Sequence, residues 1–183
     1  PDFRFSTTEV VKGDIVESVS SSGKIIPGEE IKVYSRVSGD IYKNYVEYGD
    51  IVKKGQILIE LDSTRYKNDL STKLKNLEIL EIEFLQMKKK VDSDKKLLEE
   101  GFIPKVEFEE SQNEYRIKSI EIEELKSGID LLRQNITDTK IISPIDGRVD
   151  YIDEDLIKEG KIFTNSWVYT VSSGYRDLNI SLS

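Results

Sequence analysis

The chain of 183 residues contains no cysteine and no histidine. Disulfides and thiol chemistry are therefore excluded, as are the usual zinc sites. Ser-His-Asp and Cys-His catalysis is excluded as well, because the base is missing. Proline occurs four times, tryptophan and methionine once each. No run of about 18 apolar residues is present, so no segment reads as a transmembrane helix, and no signal-peptide pattern opens the chain. A formal net charge of −8 argues against nucleic acid as the main partner, because phosphate binding needs a basic surface. The basic run Lys88-Lys89-Lys90 reads as a solvated helix face. A carboxylate-pair glycosidase would need an aromatic-lined cleft, and the nine Tyr, six Phe and one Trp are scattered along the chain. We expect no enzyme, no cofactor and no metal. Lack of cysteine is compatible with the cytosol or with export.

What the chain does have is charge, helical periodicity and an internal repeat. Charged residues make up 34% and hydrophobic residues 37%, a balance that suits much exposed helix surface. Ser35-Arg36-Val37-Ser38-Gly39-Asp40-Ile41 and Ser143-Pro144-Ile145-Asp146-Gly147-Arg148-Val149 share one pattern. Strand-type residues surround a glycine that can take a positive φ. Tyr48-Gly49-Asp50-Ile51-Val52 matches Glu159-Gly160-Lys161-Ile162-Phe163, and an apolar strand follows each match. Two copies of one unit are expected to bury their faces against each other. The alternation through Asp177-Leu178-Asn179-Ile180-Ser181-Leu182-Ser183 reads as a strand whose sheet partners are missing, so the chain is expected to be part of a longer one.

Between the copies, residues 64–100 contain no glycine or proline. Leu70, Leu77, Phe84, Val91 and Leu98 form one seven-residue stripe; Phe108, Tyr115, Ile122, Ile129 and Ile136 form another. That spacing marks a coiled-coil seam. The stripes mirror each other about Ile103, which pairs 84 with 122 and predicts an antiparallel hairpin turning at 101–104. Leu80, Met87, Leu125 and Leu132 add a partial second row, interrupted by Lys73, Asp94, Ser111 and Lys118. Each arm would reach about 50–55 Å at 1.5 Å per residue. Gly101 can end the first helix and Pro104 fits the first turn of the second. Gly128 reads as a tolerated defect or a close helix approach.

Residues 31–62 and 140–173 resemble the two halves of a lipoyl/biotinyl-type β-sandwich. A carrier of that fold bears its modified lysine on a tight hairpin joining the halves. Here the junction after Glu60-Leu61-Asp62-Ser63 opens into the helices, and Lys67 falls within the first of them, so the carrier alternative is disfavoured. Asp62 and Ser63 fit helix N-terminal positions. A split sandwich of this kind resembles the membrane fusion proteins, the periplasmic adaptor subunits of the HlyD-like family. The specific stretches are Val37–Ile41, Gly49–Leu58, Ile59–Asp62 and Ser143–Val149. Val11-Lys12-Gly13-Asp14-Ile15 and the residues up to Ile25 look most like adaptors of macrolide-type ABC exporters.

The resemblance implies an α+β chain: a lipoyl-like sandwich split by a coiled-coil hairpin, with strands of an incomplete β-barrel and membrane-proximal region. The expected divisions are 1–30 membrane-proximal and barrel-leading strands, 31–62 first half, 63–139 hairpin, 140–174 second half, and 175–183 a strand re-entering the barrel. It implies a non-enzymatic adaptor in the periplasm, anchored at the inner membrane through a segment outside this chain, or on the outer face where no outer membrane exists. Copies would form a ring linking an inner-membrane transporter, an ABC permease first, to an exit channel. An RND pump or a type I secretion system is the alternative partner.

The tip reads as a closed apolar plug or as a docking surface; partner binding is expected there at Leu97, Leu98, Gly101, Phe102, Ile103, Pro104, Lys105 and Glu107. Adaptors that meet a TolC-like channel carry an Arg, a Leu and a Ser there. Alignment puts Leu97 on the Leu position, Ser93 on the Arg and Pro104 on the Ser, so two of the three are lost. The second half carries three extra residues between Val149 and Gly160. There Asp150, Tyr151, Asp153, Glu154 and Asp155 read as an acidic turn or, in a ring, as a negative constriction that favours cations. They lack the spacing and central glycine of an EF-hand loop.

Overall fold

The structure is a computed structural model that describes residues 2–14 and 22–181, with side chains described over 2–14 and 28–174. The Ile15–Ser21 part of the N-terminal run and Leu182-Ser183 lie outside the described residues. Residues 2–14 have no helix or strand and are exposed. The rest forms β1 (Ser22–Pro27), β2 (Glu30–Tyr34), β3 (Gly39–Asn44), β4 (Ile51–Val52), β5 (Ile57–Leu61), α1 (Thr64–Glu99), α2 (Lys105–Asp138), β6 (Lys140–Ile142), β7 (Gly147–Ile152), α3 (Glu154–Glu159), β8 (Lys161–Ile162), β9 (Trp167–Ser172) and β10 (Tyr175–Ser181).

Two four-stranded sheets, β2-β9-β7-β4 and β6-β5-β3-β8, make a sandwich. Each sheet takes two strands from either half. The repeat maps β2 onto β6, β3 onto β7, β4 onto β8 and β5 onto β9, so it converts one sheet order into the other. Neither half closes a sheet alone. Leu58, Ile59 and Leu61 of the first half share one core with Val149, Ile162, Val168 and Val171 of the second. Tyr169 is also fully buried; its hydroxyl donates to Asn44 Oδ1 at 2.7 Å, and burial pushes its phenol up.

The matching is visible bond by bond. Ser35 and Ser143 are buried and donate their hydroxyls to the carbonyls of Val37 and Ile145, at 2.6 and 2.7 Å. Ser35 N–H bonds to Ser166 O, and Ser143 N–H to Gln56 O. Ser35 O accepts from Asn165 N–H, and Ser143 O from Gly55 N–H. Gly55 has φ 82 and Asn165 φ 65, so the second copy fills a left-handed position with the side chain that tolerates it best. Gly39 and Gly147 do not take positive φ, contrary to the expectation from their motif. At Gly147 the reason for glycine is contact, since a Cβ would overlap the carbonyl of Ser172.

The C-terminal alternation does not lack a partner: β10 pairs antiparallel with β1, Gly23 opposite Ile180 and Ile25 opposite Leu178.

The helices α1 and α2 pack antiparallel. Lys118 bridges Glu83 at 3.1 Å and Glu121 at 3.0 Å, and Lys126 reaches Glu81 at 3.1 Å. The seam is narrow: α1 has no fully buried residue, and α2 buries only Ser111, Ile122 and Ile129. Phe84 stacks on Tyr115, ring centroids 4.6 Å apart.

The base of the helices is tied to the sandwich. Asp62 accepts from Thr64 N–H at 2.8 Å, and bonds from Thr64's side chain and backbone hold its carboxyl below its ordinary value. Ser63 occupies the N-cap without a side-chain cap bond, against expectation. Tyr66 Oη donates to Ser38 O at 2.8 Å, Leu61 N–H to Thr139 O at 2.9 Å, and Arg36 pairs with Asp138 at 3.6 Å.

Candidate functional site

At the far end of the helices, the chain reverses within five residues. Gly101, with φ 78, donates its N–H to Leu98 O at 3.0 Å; Phe102 N–H donates to Leu97 O at 2.8 Å. This pair of bonds is a Schellman closure, which satisfies the last carbonyls of α1. Pro104 is extended (φ −73, ψ 153) and stands as the N-cap of α2, one place before the first turn where the sequence put it. Its carbonyl accepts from Glu107 N–H at 3.1 Å. Glu107 lies in the first turn of α2, where negative charge favours the helix. Lys105 pairs with Glu109 at 3.0 Å, both well exposed.

Leu97, Leu98 and Ile103 are half-buried beneath this turn. Phe102 is 73% exposed and Val106 64% exposed. The tip is therefore a closed backbone turn that displays one aromatic and one aliphatic side chain among charges. Val106 was missed in the sequence because its exposure depends on where the turn ends.

The acidic segment of the second half is not an open loop. Asp150 and Tyr151 belong to β7, and Asp153 is the N-cap of α3, its carboxylate accepting from Asp155 and Leu156 N–H at 3.2 and 3.1 Å. The three extra residues thus build a short helix, closed at Gly160 with φ 73. Most of the carboxylates are engaged. Arg148 Nε donates to Asp150 at 2.8 Å, and Lys158 pairs with Glu154 at 3.2 Å. Burial pushes Asp150 up, but bonds from Ser172 and Arg148, with the charge of Arg148, outweigh it and leave the carboxyl below its ordinary value. Asp155 is exposed. Of the four carboxylates, Asp150 and Glu154 have cationic partners, Asp153 is held by backbone N–H groups, and Asp155 stands open to solvent.

Tyr151 is fixed from behind. It stacks on Trp167 with centroids 4.2 Å apart, and Lys32 Nζ lies 4.4 Å from the centroid of Trp167. Trp167 Nε1–H donates to Tyr169 O at 2.9 Å. A turn of the first half faces this segment: Gly49 N–H bonds to Val149 O and Val149 N–H to Asp50 O, at 2.8 and 2.9 Å. Tyr48 and Glu47 are brought there by pairing between the halves, which no local motif reveals. Among the described residues no group of His, Cys, Asp and Glu is arranged to hold a metal.

Residues 29–166 match the family described as "RND MFP, barrel-sandwich hybrid domain". The chain belongs to that family. It is a membrane fusion protein, of a family of non-enzymatic adaptors. The macrolide export protein MacA of Yersinia pestis is 33% identical over 84 residues, 46% of this chain and 23% of that protein. The pyoverdine export membrane fusion protein PvdR of Pseudomonas aeruginosa is 32% identical over 84 residues, 46% of this chain and 22% of the relative. The chain's match thus spans under a quarter of either relative. Among solved structures, MacA from Actinobacillus actinomycetemcomitans superposes with TM-score 0.67 and 26% identity, over 89% of this chain and 54% of that one. In this membrane fusion protein, no helix among the described residues is long and apolar enough to cross a membrane.

Proposed function

We propose that the chain is the sandwich-and-hairpin part of an adaptor that works in the periplasm, held at the inner membrane, and links a transporter there to an exit channel. The hairpin is the reaching element. At 1.5 Å per residue its arms extend about 50 Å, farther than folding of the sandwich requires. Its tip is the docking element. The observation that carries this role is the Schellman turn that holds Phe102 and Val106 outward, on a backbone with its bonds satisfied. Aromatic side chains presented on rigid frames are typical interface anchors. The names of the relatives, export proteins for a macrolide and for pyoverdine, support an export role.

Copies of the sandwich stand side by side in a closed ring, since a head-to-tail contact repeated by rotation must close or form a filament. The Asp150–Asp155 segments face the axis in that arrangement. The transporter is an ABC permease, the partner type of the adaptors that the N-terminal run resembles. An RND pump is the second candidate, and the family's description favours it. With Ser93 and Pro104 in place of the usual Arg and Ser, a TolC-like channel would be met through Leu97 and the apolar tip rather than through those polar contacts.

The test is export in cells carrying tip variants. Phe102→Asp combined with charge reversal at Lys105 or Glu107 should leave the helical circular dichroism unchanged and abolish export. Phe84→Asp should instead lose helical signal, because it places an unpaired charge in the seam. Wild-type export by folded tip variants would move docking elsewhere on the molecule.

A further inference from the structure

A groove of about 530 Å³ lies between the Glu47–Asp50 turn and the β7–α3 segment. That volume is in the range of sites that hold small organic molecules. Its floor is apolar, from the buried Val46 and the half-buried Ile152 and Ile157. Two tyrosines line it, Tyr48 at 72% and Tyr151 at 36% exposure. The groove is preformed. The Glu47–Asp50 turn is closed by Glu47 N–H on Asp50 Oδ2 at 2.8 Å and bonded to Val149 on both sides. Tyr151 is backed by Trp167, and α3 is held by Asp153, whose N–H donates to Val168 O at 3.0 Å.

The charge around the groove has one sign left over. Glu154 is paired with Lys158 and Asp150 with Arg148. Glu47 lines the groove, and its carboxylate has no partner among the described residues. Tyrosine ring faces attract cations, more strongly when the site is partly desolvated. One unpaired carboxylate, two aromatic walls and an apolar floor complement a singly charged organic cation with an apolar body. An anion of the same shape meets the same walls and the wrong charge.

We propose that this groove binds lipophilic organic monocations, between Tyr48 and Tyr151 with the charge toward Glu47. Such molecules would be cargo touched on the way through the assembly, a step that rests on the export reading above. The binding itself needs neither ring nor transporter, so it is measured on the purified chain, and its failure would leave the adaptor role untouched.

The probe is tetraphenylphosphonium, with tetraphenylborate as the anion of equal shape. Binding is followed by calorimetry and by emission from Trp167, the one tryptophan of the chain, which touches Tyr151. Saturable binding of the cation with a change in Trp167 emission is expected, without either for the anion. Tyr48→Ala and Glu47→Gln, both at exposed turn positions, should each weaken the cation about fivefold while leaving the thermal melt unchanged. Absence of saturable cation binding, or equal binding of the anion, would overturn the proposal. So would parent-like titration by either variant.

Discussion

Gly39 and Gly147 hold equivalent places in the two copies, yet their surroundings differ. A Cβ on Gly39 would stand 3.4 Å from Leu61 Cβ, an ordinary contact. A Cβ on Gly147 would run into the backbone of Ser172, which cannot swing aside as a side chain can. Gly39→Ala is therefore expected to be close to neutral, since it also reduces the freedom of the unfolded chain. Gly147→Ala should cost about 1–3 kcal/mol, the range for overpacked cores. Urea unfolding of the two variants checks this, and equal midpoints would contradict the close approach. The motif exposed both glycines as special, but not why. Positive φ was the local explanation; the actual one depends on β9 crossing beside β7, a long-range pairing. The buried serines follow the same logic. Ser35 and Ser143 stood first in both motifs, and only the fold shows them closing the turn onto Val37 and Ile145.

At the scale of the element, the seven-residue stripes made two helices and a turn legible, because periodicity is a local property that burial selects. Which side chains of the two stripes touch was less legible. A stripe repeating every seven residues fits its partner equally well face to face or knob between knobs, and side-chain shape decides. Phe84 stacked on Tyr115 is the outcome. Gly128 adds a test at this scale. The added methyl of Gly128→Ala would lie 3.3 Å from Lys73 Nζ, the far end of a flexible chain that can move away. Removing a helix-interior glycine should then stabilise α2 by about 1 kcal/mol. Thermal melts at 222 nm should shift upward; a downward shift would mean that Lys73 is pinned where it lies. The acidic segment was the element least legible in sequence. Asp153 reads as one more carboxylate in a run, and only the bonds to Asp155 and Leu156 identify it as a helix cap.

For the whole molecule, the repeat and its interruption carried the layout. Two copies that each lack a complete sheet must exchange strands, and the order β2-β9-β7-β4 against β6-β5-β3-β8 is that exchange. The helices emerge where the first copy ends and return where the second begins. Leu61 bonded to Thr139, Tyr66 to Ser38 and Arg36 to Asp138 fix their base. The arm is thus joined to the sandwich by bonds across the junction and not by a loose linker, which lets its far end be aimed. Aim matters only if the end meets something. The most direct measurement is site-specific photo-crosslinking in cells that export, with the photoreactive residue at Phe102 or, as a control on the same arm, at the exposed Ile79. A docking tip predicts that position 102 captures a protein other than this chain, while position 79 does not capture that protein. Capture of that protein at position 79 with none at 102 would contradict the account.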